Sequence, residues 1–289
     1  MAEADSQVKG QTPSWPSLRS FALAAEAQGL DSLWVFDHFF DKAKDGTVTG
    51  QHEAWTVVSA LAAVTDRVQI GTLVMCSSFR SPALVAKMAA AVDEVSDGRL
   101  ILGLGAGWHD PEYYAFGFPK DHRVDRFEEA LEIIVPLVRG QTVSFEGRYH
   151  QARDAVLVPA PSHPIPVLIA SFGPRMLGLT ARHADAWNTA WFGAPDQVLQ
   201  GQMKAFDEAL SAEGRDPTGV SRTVAIIVND PAAHVPDPGG EDSSFSGSVD
   251  ELARALDAYD ALDIDHLIVL VQPLTEASLG RLTSAIALR

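Results

Sequence analysis

Two stretches of this chain combine residue types and placement that could do chemistry. Asp37-His38 follows the apolar run Ser32–Phe36, and the turn Gly103-Leu104-Gly105-Ala106-Gly107-Trp108 closes another run that begins at Leu100. An imidazole titrates near neutrality, so His38 alone suffices as a general acid or base. With Asp37, His109 and Asp110 it could instead form a metal site of the hydrolase kind, although no His-x-His or His-x-x-x-His spacing supports it. The plainest reading is a histidine that hydrogen-bonds its loop, with Asp37 fixing the loop's orientation. The glycines permit sharp turns and would let a planar or phosphorylated ligand approach the backbone, but no complete Gly-x-Gly-x-x-Gly is present. Ser171-Phe172-Gly173-Pro174 repeats the pattern of small residues before a helix start, where backbone amides can hold phosphate. There is no Gly-x-Ser-x-Gly, no phosphate-loop Gly-Lys-Ser/Thr and no His-Glu-x-x-His.

Residues at the C-terminal ends of several separate strands suggest one site built from distant segments, as in a (β/α)8 barrel. The periodicity supports that frame. Strands are predicted at Val8–Thr12, Ser32–Phe36, Val68–Val74, Leu100–Leu104, Val167–Ala170, Ala186–Thr189, Arg222–Val228 and His266–Val271. Helices are predicted between them, at 17–28, 53–64, 82–95, 123–138, 175–183, 195–212, 248–261 and 276–287. About eight alternating pairs favour an α/β fold of the (β/α)8 TIM-barrel type, with insertions at the strand C-termini and one domain over residues 1–289. A doubly wound open sheet is the alternative. Residues 140–160 read as a hairpin insertion, the stretch from the strand Leu100–Leu104 to about His122 as a loop, 230–246 as a mobile loop and Asp93–Arg99 as a solvated turn. Trp191 and Phe192 fall just past the sixth strand and, with His109 and Trp108, would line an aromatic pocket.

Composition narrows the partners. A net charge of −16 repels nucleic acid and anionic membranes over most of the surface, and 46% hydrophobic with 21% charged residues is an ordinary soluble profile. No apolar run approaches the ~20 residues of a membrane span, the acidic first residues do not read as a signal peptide, and the single cysteine, Cys76, fits a cytoplasmic protein. A small-molecule substrate is the expected partner.

The chain resembles the luciferase-like monooxygenase superfamily, within it the group that uses the deazaflavin coenzyme F420. The stretches that carry the resemblance are Ala24–Trp34, Asp37-His38-Phe39, Gly71–Val74, Phe79–Leu84, Asp93–Trp108 and Ala181–Asn188. The resemblance implies a barrel with a flavin-type ring across its mouth and a non-prolyl cis peptide, mapping to Leu73-Val74, behind the ring. It implies cofactor contacts from Asp37, Leu73, Val74, Ala106, Gly107 and Trp108, and from Ser171, Phe172, Gly173 and Pro174. His38 matches the histidine beside the transferred hydride. The implied activity is hydride transfer between coenzyme F420 and a small organic substrate, in a homodimer. The sugar-phosphate dehydrogenases of the group carry an acidic residue after the glycine turn; Trp108-His109 stands there, which speaks against that substrate. An FMN-dependent monooxygenase on the same scaffold and a metal-dependent barrel hydrolase are the alternatives.

Overall fold

The structure, a computed structural model, describes residues 12–42, 46–233 and 244–289. The expected first strand over Val8–Thr12 lies, apart from Thr12, outside the described residues. In chain order the elements begin with α1 (Trp15–Ala27), β1 (Ser32–Val35), the short strands β2 (Phe40–Lys42) and β3 (Val48–Gly50), α2 (Ala54–Val64), β4 (Gln69–Thr72) and β5 (Met75–Cys76). Next come α3 (Pro82–Ser96), β6 (Leu100–Gly105), α4 (Asp110–Phe116), α5 (Arg123–Val138), β7 (Val143–Glu146), β8 (Gln151–Ala155) and β9 (Val167–Ala170). The rest is α6 (Pro174–His183), β10 (Ala186–Phe192), α7 (Gln197–Ala212), β11 (Ser221–Asn229), α8 (Val249–Asp260), β12 (His266–Gln272) and α9 (Glu276–Ala287). The chain divides into two compact units, one holding residues 32–41 and 51–170, the other 1–31, 42–50 and 171–289.

In the first of these, β1, β4, β6 and β9 pair in parallel and in that order, with registers Leu33↔Ile70, Gly71↔Ile101 and Gly103↔Leu168. In the other, β10, β11 and β12 pair in parallel with Val224 opposite Thr189 and Leu267. Each run follows chain order without the reversal that marks a doubly wound sheet, so the alternation is that of a barrel. All of β6 is buried, as expected of a parallel strand covered on both faces. The hairpin of β7 and β8 is antiparallel and interrupts the alternation at 143–155.

The local chemistry of the sequence sets the ends of these elements. Ser14 caps α1 through Ser17 N, with Pro16 in the first turn. Ser248 and Glu251 form a reciprocal capping box on α8. α3 closes on Asp97 in the left-handed region (φ 55°), followed by Gly98.

Asp93–Arg99 is not the solvated turn its charges suggest. Asp93 and Ser96 are fully buried. The Arg99 guanidinium donates to the carbonyls of Ala62, Thr65, Val68 and Ser96 and to Thr65 Oγ1. It thereby satisfies the carbonyls of Ala62, in the last turn of α2, and of its cap Thr65. In the unit that contains residues 171–289, Trp187 stacks on Phe206 (4.6 Å between rings) within a core of Leu177, Ala181, Leu210 and Val220.

Three expectations about elements are corrected. The run Val68–Val74 is not one strand: β4 ends at Thr72, the Leu73–Val74 peptide is cis, and pairing resumes in β5. Residues 110–116 form a helix where a loop is expected; Pro111 sits in its first turn and Gly117 closes it in the left-handed region. Trp191 and Phe192 are inside β10 rather than past it, and Phe192 is buried. The expected mobile loop lies mostly outside the described residues. Its described flanks are bonded, with Phe245 N donating to Ile227 O and Asp230 N to Gln272 O.

Candidate active site

The end of β1 carries Asp37 and His38 into a set of fixed contacts. Asp37 is buried and accepts from Cys76 N at 2.9 Å and from both Arg80 Nη atoms, at 2.8 and 3.0 Å. Arg80 also pairs with Glu53, which caps α2 through the amides of Trp55 and Thr56. A bidentate buried guanidinium–carboxylate pair is rigid. It ties the loop after β1 to β5 and to α2. Asp37 spends both oxygens on this frame.

His38 is held from the opposite side. Its Nδ1 lies 2.8 Å from Glu112 Oε2, and Glu112 is fully buried on α4. The other oxygen, Oε1, accepts from Phe39 N and from Phe40 N, the latter at 3.2 Å. Burial opposes ionisation of Glu112, but the bonds from His38 and from the Phe39 amide outweigh it and hold the carboxyl below the usual glutamate range. An ionised carboxylate only accepts, so Nδ1 carries the proton and Nε2 is left as the acceptor nitrogen of the neutral ring.

The glycines at the end of β6 and just past it, where a turn is expected from Gly103 onward, pack against their own chain. A Cβ on Gly103 would collide with the Thr72 carbonyl, one on Gly105 would come 2.6 Å from Val74 Cγ2, and one on Gly107 would collide with Tyr113 Oη and Cys76 Sγ. The first two glycines make room for the Leu73–Val74 segment; the third (φ 80°) makes room for Tyr113. Thr72 Oγ1 bonds both the carbonyl and the amide of Gly103, at 2.8 and 3.1 Å, continuing the β4–β6 ladder by side chain. Tyr113 Oη donates to Ala106 O and lies 3.1 Å from Cys76 Sγ. Burial pushes the Cys76 thiol up to about 11, so it is a packing group and not a nucleophile.

Aromatic rings surround His38. Trp108 and His109 meet it edge-on, with centroids at 5.5 and 5.7 Å. Phe39 packs on Phe79 and Phe116, and Phe40 reaches His109 and Phe116. Asp110 is paired with Arg123, whose guanidinium also donates to Trp108 O.

Asp37, His38, Leu73, Val74, Ala106, Gly107, Trp108 and His109 thus all belong to one compact unit, and the contacts above join them through Cys76, Glu112 and Tyr113. Ser171, Phe172, Gly173, Pro174, Trp191 and Phe192 belong to the other. There, Ser171 Oγ bonds Thr180 Oγ1 (2.8 Å) and Ser171 O accepts from Trp187 Nε1. Gly173 caps α6 without any side-chain bond, a Cβ on it would meet nothing within 4 Å, and Phe172 is exposed. The first turn of α6 therefore presents its amides without a capping side chain, a suitable cradle for phosphate.

Sequence reasoning overlooked Glu112, and it placed Arg80 at a strand end without its partner Asp37. The signal for Glu112 is Asp110-Pro111-Glu112 followed by Gly117, a helix start and stop that would have placed an acid on a short helix beside the glycine turn. The metal reading finds no support in the geometry: Asp37 and Asp110 are taken up by Arg80 and Arg123, and among the described residues no three His, Cys, Asp or Glu side chains cluster.

Comparison with known proteins agrees with this architecture. A curated relative, the F420-dependent glucose-6-phosphate dehydrogenase of Kineococcus radiotolerans, is 34% identical over 223 residues, 74% of this chain and 65% of that one. The F420-dependent hydroxymycolic acid dehydrogenase of Mycobacterium tuberculosis is 31% identical over 75% of this chain and 60% of its own length. The chain thus spans just under two thirds of the length of these relatives. A solved F420-dependent secondary alcohol dehydrogenase, in complex with an F420-acetone adduct, superposes with a TM-score of 0.75 at 22% identity, covering 91% of this chain and 94% of that one. Residues 1–235 match the family described as luciferase-like monooxygenase, and the chain belongs to that family.

Proposed function

We propose that this protein is a coenzyme F420-dependent oxidoreductase that moves a hydride between the deazaflavin and a small organic substrate. The observation that carries the reading on the protein side is the His38–Glu112 pair, which fixes one imidazole tautomer at the end of β1. The F420-dependent relatives supply the cofactor. The residues present fit such a group. The backbone at Leu73–Val74 is cis, in the place the resemblance assigns to the support behind the ring. Within the unit that holds His38, Leu73 and Val74 would support the ring and the Ala106–Gly107 backbone would hold the phosphorylated tail.

When bound, the deazaflavin supplies the hydride chemistry. The protein supplies orientation and a proton group. His38 Nε2 accepts the hydroxyl proton of an alcohol or, protonated, returns one to a carbonyl oxygen. Glu112 holds the ring and stabilises it when it carries both protons. Asp37 and Arg80 hold the loop. The proposal includes a cytoplasmic homodimer; among the described residues no helix is long and apolar enough to cross a membrane.

The test is a fluorescence titration of the purified protein with coenzyme F420 and, separately, with FMN, followed by turnover of His38→Ala. Saturable binding of F420 and a loss of ~100-fold or more in turnover with little change in cofactor affinity are expected. Binding of FMN alone would move the assignment to a monooxygenase, and binding of neither would overturn the cofactor.

A further inference from the structure

The surface around His38 is aromatic. Trp108 is 70% exposed, and Tyr114 and Phe116, on the next helix, are 68% and 53% exposed. Trp108, exposed and edge-on to the ordered imidazole, with Phe116 exposed beside Phe40, marks a place where an apolar ligand packs. The rings connect: His38 to Trp108, Trp108 to His109 (5.0 Å), His109 to Phe40, and Phe40 to Phe116.

Among the described residues, Arg80 is held by Asp37 and Glu53, Arg123 by Asp110 and the Tyr113 ring, and Lys120 by Asp110 and the Tyr114 ring. These three cations are matched by three carboxylates, and Glu112, paired with His38, adds a fourth. A phosphate dianion placed here would meet cations that already hold carboxylates and would lie near the Glu112 carboxylate.

We propose that the substrate taken at His38 is an uncharged alcohol or carbonyl compound bearing an aromatic ring or comparable apolar group, and that Trp108 selects it by packing on that group. This rests on the oxidoreductase reading for its chemistry. In the oxidative direction a bound oxidised deazaflavin would take the carbinol hydride with both its electrons, and the chain's own part is His38 Nε2, which would accept the hydroxyl proton as the carbonyl forms. Trp108 contributes neither proton nor electrons. It contributes the apolar face that distinguishes an aryl or alkyl carbonyl from a sugar phosphate.

The experiment measures binding directly, by saturation-transfer NMR and calorimetry, using acetophenone and glucose 6-phosphate as probes with and without bound F420. Acetophenone is expected to bind with saturation concentrated on its ring protons. Trp108→Ala should weaken it at least 10-fold and Trp108→Phe less than about 3-fold, a residue that exposed having little effect on folding. Glucose 6-phosphate should bind at least 10-fold more weakly than acetophenone. Tighter binding of the sugar phosphate, or acetophenone binding indifferent to Trp108→Ala, overturns the proposal. An F420 titration on the same samples separates the two readings. If F420 fails to bind while acetophenone still depends on Trp108, the apolar site stands and the cofactor assignment falls.

Discussion

Glu112 holds His38: the Oε2 to Nδ1 distance is 2.8 Å, from a fully buried carboxylate to an imidazole whose side chain is 25% exposed. The buried member is the one that cannot move, so the pair acts as an anchor that leaves only the far ring nitrogen facing outward. The same carboxylate also takes the amides of Phe39 and Phe40, so the ring and its loop are set by one group.

Glu112→Gln should invert the tautomer. A glutamine can still accept from Phe39 and Phe40 with its oxygen, but its amide then offers N–H to Nδ1, and the proton moves to Nε2. A histidine with Nε2–H cannot act as the base. Turnover is expected to fall on the order of 100-fold, with F420 affinity changed less than threefold. Glu112→Asp should restore part of the rate. Turnover in Glu112→Gln equal to wild type, measured across pH, would remove Glu112 from its positioning role.

Acid should loosen the same contact. The folded carboxyl of Glu112 titrates below its ordinary value, with burial opposing and the His38 and Phe39 bonds prevailing. Its contribution is therefore complete above the ordinary glutamate value of about 4.3 and is lost as pH falls through the lower folded value. Denaturant midpoints taken between neutral and acid pH should decline more steeply in wild type than in Glu112→Gln. Parallel declines would show that Glu112 contributes nothing to acid sensitivity.

The Asp37–Arg80 pair should matter to stability more than to chemistry. Asp37 is buried with both oxygens engaged, and Arg80 is nearly so. Asp37→Ala leaves a buried guanidinium with Glu53 as its remaining acid partner. A loss of about 3–5 kcal/mol is expected from urea unfolding. A loss under about 1 kcal/mol would mean the loop is held by other contacts.

Two glycines should respond to different degrees. Gly103→Ala drives a methyl into the Thr72 carbonyl, backbone that cannot yield cheaply, and more than about 3 kcal/mol of destabilisation is expected. Gly173→Ala meets open space at φ −85° and costs about 1 kcal/mol or less as a helix cap. Thermal melts of the two variants settle both points.

The sequence by itself determined the alternation of elements and the position of His38. Parallel strands covered on both faces must be continuous apolar runs, as in Leu100–Gly105, and helix boundaries are written in local residues such as Ser14, Pro82 and Gly98. A polar residue at the end of such a run is visible without any structure. The partners of that residue are not. Glu112 lies 74 positions from His38, and Arg80 lies 43 from Asp37; only the parallel pairing of strands brings such residues into contact. The three glycines after Leu102 carry one signature in the sequence and could have served a ligand or a turn. Only the tertiary structure shows that Gly103, Gly105 and Gly107 give the space of a missing Cβ to Thr72, Val74 and Tyr113, because the atoms that close packing brings there come from distant positions of the chain.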